Sequence, residues 1–232
     1  MIKVAILVDG GFYKKRAHYL FGEKSPEDRA NELITYCLRH LKQDAFYENE
    51  TVVLYRIFYY DCPPATKNIT HPLTGKTVCL EKTDLYRWTN AFFQELSKKR
   101  KVAIRRGELL ESSVGYNIRS EVVKKLCNKT ITIDDLSEND FILDLKQKGV
   151  DMRIGLDIAS LATKKLVDQI VLIAGDSDFV PAAKHARREG IDFILDPMWL
   201  TIKPSLNEHI DGIHTPTNKP GHGKPDSLCS EV

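Results

Sequence analysis

The sequence predicts an α/β fold, a parallel sheet sandwiched between helices. Three observations predict it. Residues 2–8, interrupted only by Lys3, and residues 170–174 are apolar runs of strand length without the alternation of a half-exposed strand, and such runs belong to strands covered on both faces. The segments between them carry apolar residues at helical spacing, as expected of strands joined by helical crossovers. Both runs also stop at glycine and acid, Asp9-Gly10-Gly11 in one case and Gly175-Asp176-Ser177-Asp178 in the other. Open sheets of this class bind ligands outside the carboxyl ends of their strands, so these acids stand where a site is expected.

With 232 residues and 42% hydrophobic content the chain can bury one good-sized core. We read one domain over residues 1–214, with insertions at about 61–82 and 111–147, and a disordered tail at 215–232 whose prolines and glycines cannot build a core. A net charge of +2 excludes a strongly basic binding module, so any grip on nucleic acid must be local. Five cysteines without a CxxC pair argue against a disulfide framework or zinc ribbon and suit reduced thiols. Residues 1–10 read as a strand and not as a leader, and no stretch approaches the ~20 apolar residues of a membrane span. The expectation is a cytoplasmic protein with no membrane partner; its oligomeric state is left open, a homodimer included.

Taken in order, residues 2–8 form the first strand, and the glycine pair after it suits a sharp turn or close approach to a ligand. Residues 26–43 are a scaffold helix, with Ser25 as N-cap, Pro26 in the first position, and Leu33, Ile34, Cys37, Leu38 and Leu41 on one face. Residues 51–60, rich in β-branched and aromatic side chains, are a strand. It ends in Asp61, for which the adjoining Pro63-Pro64 favours a turn role over a site role. Residues 61–82 read as a long exposed loop. Residues 83–99 are helical, with Leu85, Trp88, Phe92 and Leu96 as a core stripe. The densest positive cluster follows, Lys98, Lys99, Arg100, Lys101, Arg105 and Arg106; it is a candidate phosphate-binding patch, and equally a set of solvated cations at a helix C-terminus. Residues 102–104 are a short strand. Residues 111–148 give mixed helical signals around Val122, Val123 and Leu126 and around Phe141, Ile142 and Leu145.

Residues 150–165 form a helix whose buried stripe is Ile154, Ile158, Leu161 and Ala162, and Asp157 falls inside that arc. A carboxylate on an apolar face needs a cation or a metal, and metal is the reading preferred here over a hidden Arg or Lys. Asp151 is either the N-cap of this helix or a site acid. After the strand at 170–174, a helix with Pro181 in its first turn ends at Gly190, and Asp178 both caps it and belongs to the site. His214 and His222 lie in or beside the tail and are not read as ligands.

Asp9, Asp151, Asp157, Asp176 and Asp178 are therefore the candidate catalytic and metal-binding residues, with Ser177 as a candidate substrate contact. No histidine pair, serine nucleophile or cysteine accompanies them. Carboxylates alone suit hard cations such as Mg²⁺ or Mn²⁺ and phosphate substrates, and metal-assisted phosphodiester hydrolysis requires little more.

As a set, residues 2–11, 149–161 and 170–190, with Lys148-Gly149-Val150-Asp151, Gly175-Asp176-Ser177-Asp178-Phe179 and Arg187-Arg188-Glu189-Gly190, resemble the NYN domain of PIN-like ribonucleases, in its bacterial LabA-like branch. The resemblance implies a PIN-like, Rossmann-like parallel sheet and metal-dependent cleavage of RNA, with the same five aspartates as the acidic site. Many relatives carry Asn shortly after the first Asp-Gly, where this chain has Gly11-Phe12. Two alternatives stay open, an NYN-fold RNA-binding or regulatory module without turnover and a HAD-type phosphatase. The phosphatase would need Asp-x-Asp after the first strand, and Asp9-Gly10-Gly11 does not supply it.

Overall fold

The structure is a computed structural model that describes residues 1–42, 50–109, 114–144 and 147–218. In chain order it contains β1 (Ile2–Asp9), α1 (Gly10–Phe21), α2 (Pro26–Arg39), β2 (Val52–Asp61), β3 (Asn68–Thr70), β4 (Thr77–Cys79), α3 (Asp84–Ser97), β5 (Val102–Arg106) and β6 (Glu108–Leu109). Next come β7 (Gly115–Ile118), α4 (Ser120–Cys127), β8 (Phe141–Asp144), β9 (Gln147–Lys148), α5 (Val150–Thr163), β10 (Gln169–Ile173), α6 (Val180–Arg188), β11 (Asp192–Asp196), α7 (Pro204–Asn207) and β12 (Gly212–Ile213). These fall into two compact units, one of residues 1–61, 91–107 and 149–232, the other of 62–90 and 108–148.

The first unit is the predicted parallel sheet, six strands in the order β12-β11-β10-β1-β2-β5. The uninterrupted apolar runs are its centre: Val4 to Val8 in β1 and Ile170 to Ile173 in β10 are buried throughout. Helices cover both faces, because neighbouring residues of a strand point to opposite sides. Tyr59 of β2 packs edge-on against Phe92 of α3, while Tyr60 donates to Asp157 of α5. Ser25 caps α2 and accepts from the Asp28 N–H at 3.1 Å. Within α2, Leu38 is exposed and Tyr36 is buried, so the inward face lies slightly off the predicted stripe. Polar bonding explains the shift, since Tyr36 reaches the buried Asp196, and Glu32 accepts from Tyr13 at 3.0 Å and pairs with Arg29 and Lys24.

Helix α1 was not evident from periodicity. Its inward residues are only Gly10, Tyr13 and Ala17, a narrow stripe among lysines. Gly10 serves close approach and not a turn: a Cβ there would sit 2.5 Å from the Tyr59 ring and 2.7 Å from the Tyr60 carbonyl oxygen. The carbonyl belongs to a central strand and cannot swing aside. Gly10→Ala is therefore expected to cost about 1–3 kcal/mol, lowering the melting temperature by ~2–4 °C per kcal/mol. Thermal unfolding followed by circular dichroism checks this, and an unchanged midpoint would show that the contact relaxes freely.

The second unit gathers both insertions and the start of α3. Residues 61–82 are not one loop. Asp61 completes β2, and β3 and β4 form an antiparallel pair. Of the residues singled out in 111–148, Val122, Val123 and Leu126 lie in a helix, α4. Phe141 and Ile142 lie in β8, paired antiparallel with β7, and Leu145 lies outside the described residues. Two apolar residues in a row do not separate strand from helix. Ala65, Ile69, Leu80 and Val114 form a small core, and the His71 ring sits 4.6 Å from that of Tyr116 and 4.9 Å from that of Phe141. Leu85, assigned to the core stripe of α3, is 65% exposed.

Of the tail, the described part begins bonded to the sheet unit: Thr215 donates to Asp196 at 2.7 Å. Residues 219–232 lie outside the described residues.

Candidate active site

The chain runs outward from β1 in two directions. It proceeds through β2 to β5 on one side and, after returning, through β10 to β12 on the other. The reversal falls between β1 and β10, and crevices at such switch points are where open α/β sheets bind ligands. Acids mark the carboxyl ends here: Asp9 ends β1, Asp61 ends β2, Asp196 ends β11, and Asp176 stands three residues past β10. Gly175, after β10, is closely packed: a Cβ there would lie 2.6 Å from the Phe12 ring.

Three helical starts aim at this edge. Asp9 caps α1, accepting from the Phe12 N–H at 3.1 Å. Asp176, and not Asp178, is the cap after β10: it accepts from the Asp178 N–H at 3.1 Å and begins the 3-10 turn Ser177–Phe179 that leads into α6. Asp151 is not a cap either. Gly149, with φ 78°, takes that position, which leaves Asp151 in the first turn of α5.

The electrostatics tie Asp9, Asp151, Asp176 and Asp178 together. Burial first, then the charges of Asp151 and Asp61, raise the Asp9 carboxyl from its ordinary 3.8 to about 6, against the downward pull of the Phe12 and Gly11 N–H groups. Asp151 is also raised, by burial and then by Asp176 and Asp178. Asp9 and Asp151 are thus held against the negative charge of their neighbours.

The other two acids are compensated. Asp61, fully buried, pairs with Lys14 at 2.7 Å and accepts from the Tyr59 hydroxyl at 3.0 Å. Its strand-end position was the same signal that singled out Asp9, but the prolines after it masked it; Lys14 gave no signal. Asp157 was expected to bind metal, and instead has the arginine partner that reading had set aside. It accepts from Arg105 Nε at 3.0 Å and from the Tyr60 hydroxyl at 2.8 Å. It thus meets the Tyr60 side of the sheet, opposite the side where Tyr59 bonds Asp61.

The basic cluster is largely engaged within the fold. Lys98 pairs with Glu95, Lys99 donates to Asn31, Lys101 donates to the Leu54 carbonyl, and Arg106 lies 5.2 Å over the Phe93 ring. Arg105, besides holding Asp157, lies 5.3 Å over the Phe58 ring. A cation does reach the acidic turn from elsewhere: Lys203 Nζ donates to Ser177 Oγ at 3.1 Å.

The donor set, carboxylate oxygens only, fits a hard divalent cation. Among the described residues no three His, Cys, Asp or Glu side chains close into a metal-binding group. Such an edge suits a divalent cation that keeps most of its water and takes one or two protein carboxylates.

The model of the NYN domain family matches residues 83–201, just over half of the 232-residue chain. That stretch contains Asp151, Asp157, Asp176 and Asp178 and leaves out Asp9. No curated protein matches the chain. Among solved structures, a protein of unknown function from Vibrio parahaemolyticus is similar at a TM-score of 0.44 and 14% identity, with 91% of each chain covered. With a parallel sheet between helices, acids gathered at its carboxyl edge, and the family match across α5, β10 and α6, the chain belongs to the NYN domain family.

Proposed function

We propose that the protein is a metal-dependent ribonuclease that hydrolyses RNA phosphodiester bonds at the β1/β10 edge. The observation that carries this is the group of neighbouring carboxylates, Asp9 and Asp151 raised by burial and by nearby acids and Asp176 and Asp178 beside them, at the switch point of a sheet whose family is generally nucleolytic. One or two of these four, Asp9 foremost, would hold the cation, with water filling its other positions. Bound Mg²⁺ or Mn²⁺ supplies charge neutralisation at the phosphate and a deprotonated attacking water. Asp9 and Asp176 are fixed in direction by the N–H groups they cap, which orders the carboxylates before substrate arrives. Asp61 and Asp157 are paired with Lys14 and Arg105 and are not among the carboxylates left for the cation. The family match removes support from the phosphatase reading. An RNA-binding module without turnover is favoured by one observation, that the described donors form no closed metal group.

The test is incubation of the pure protein with assorted single-stranded RNAs and Mn²⁺, with and without chelator. Cleavage that the chelator stops is the expected result; binding without cleavage would establish the second reading instead. In parallel, millimolar Mn²⁺ is expected to raise the melting temperature, because a cation that binds only the folded chain at about 100 times its Kd adds ~2.7 kcal/mol, or roughly 5–10 °C at this size. No shift would count against the carboxylates as a cation site.

A further inference from the structure

Residues 197–200, Pro-Met-Trp-Leu, leave the carboxyl end of β11 in a conformation that bulky side chains avoid. Met198 has φ 46° and Trp199 φ 64°, two consecutive left-handed residues without a glycine. Such outliers persist only where the surroundings over-determine them. Here they do: the Met198 N–H donates to buried Asp196 at 2.8 Å, and the Arg16 guanidinium donates twice to the Met198 carbonyl, at 3.2 and 2.7 Å. The result is an indole held toward solvent, 39% exposed, with its Nε1–H on Thr217 at 3.3 Å. Arg16 also lies 5.0 Å over the ring of Tyr19, which is 68% exposed. The same loop adjoins the acidic turn, since Leu200 stands 3.3 Å from where a Gly175 Cβ would be, and Lys203 bonds Ser177 between Asp176 and Asp178.

Exposed aromatic faces interleaved with cations, beside carboxylates that repel a phosphate chain, match single-stranded nucleic acid: bases stack on rings and phosphates meet the cations. We infer that Trp199 is a base-stacking residue that seats single-stranded RNA beside the Asp176–Asp178 turn, with Lys203 on the backbone and Tyr19-Arg16 continuing the platform. This rests on the reading of the acidic edge as an RNA site. A ring already restrained by its backbone and its bond to Thr217 gives up less rotamer freedom when a base arrives, which accounts for the strained loop. Stacking favours neither hydrogen-bonding edge, so the strand is read weakly for sequence, with purines held better than pyrimidines.

The test is fluorescence anisotropy with labelled oligoadenylate and oligouridylate twelve-mers and a duplex of the two, using the full chain in EDTA so that RNA stays intact. Trp199→Ala is expected to weaken the single strands roughly 5- to 150-fold without lowering the melting temperature, and Trp199→Phe to recover most of the affinity. Equal Kd values for wild type and Trp199→Ala would overturn the inference. So would a loss confined to the duplex, or a loss of self-association in sedimentation with oligonucleotide affinity intact, which would make the ring a protein contact. Single strands bound through Trp199 but left uncut by added Mn²⁺ would sink the hydrolytic proposal and uphold this one; cleavage with an unaltered Kd for Trp199→Ala would do the reverse.

Discussion

Asp9→Asn is expected to abolish RNA hydrolysis while making the metal-free protein more stable at neutral pH. Asn has the same shape and is as good a helix cap, so the bond from Phe12 and the start of α1 survive. What disappears is a carboxylate that burial, Asp151 and Asp61 hold at about 6 instead of 3.8. The sign follows from linkage: a carboxyl whose pKa is higher in the folded than in the unfolded state costs nothing below 3.8, where both forms are protonated. The fold loses stability as pH rises through that interval, and above about 6 the full cost remains. At 1.36 kcal/mol per unit the cost is on the order of 2–3 kcal/mol. Wild-type protein in EDTA should therefore melt several degrees higher at pH 5 than at pH 7.5 from this source, and the variant should lose that difference. Hydrolysis with Mn²⁺ should fall roughly 100-fold or more, since a lost cation ligand removes several kcal/mol of transition-state stabilisation. A variant that melts lower and still cuts RNA would mean that Asp9 is a cap and nothing more.

The largest effect on stability is expected from Asp196→Ala. This carboxylate is completely buried and is the acceptor for the Tyr36 hydroxyl, the Met198 N–H and the Thr215 hydroxyl, with His40 Nε2 at 3.0 Å. Alanine strands these polar groups in the interior, and each buried group left unsatisfied costs ~1–3 kcal/mol. Because the donors come from α2, the loop after β11 and the segment after β12, relaxation in one place cannot satisfy all of them. A loss of about 3–5 kcal/mol is expected, the range for breaking a buried charged network. Urea denaturation measures it as a lower midpoint at unchanged slope; a loss below about 1 kcal/mol would show that water replaces the carboxylate.

The central strands were legible because a strand buried on both faces has no choice but to be apolar throughout, and Asp9 and Asp176 were conspicuous against such runs. Helix α2 announced itself through Ser25, Pro26 and Asp28, whose roles are local. What escaped was non-local. Asp157 looked like an acid in need of a metal because its arginine stands 52 residues earlier in the chain, and Asp61 looked like a turn residue because of the prolines after it, while its partner Lys14 lies far back in α1. Asp178 is read from its residue type as a cap as well as a site acid, and Asp151 as either a cap or a site acid, yet Gly149 and Asp176 hold the cap positions. Leu85 and Leu38 kept the right period and the wrong exposure. Periodicity fixes which residues share a face; it does not say how far a covering layer extends over it.

The strand order also governs when the acidic edge can exist. β1, the first of these strands in the chain, lies in the middle of the sheet, and one of its two neighbours is β10, in the register Val4 with Gln169. At translation rates of ~5–20 residues per second, roughly ten to thirty seconds separate the emergence of these two strands. Throughout that interval β1 is an apolar strand with one hydrogen-bonding edge unfilled, a contact of high sequence separation that is slow to form and prone to pair wrongly. Asp9 and Asp176 are brought together by that same late pairing, so a nascent chain cannot assemble the site and then finish folding around it. Any chain truncated before Gln169 would carry Asp9 without its opposite wall, and the unfinished protein should be inert toward nucleic acid until the last strands are in place.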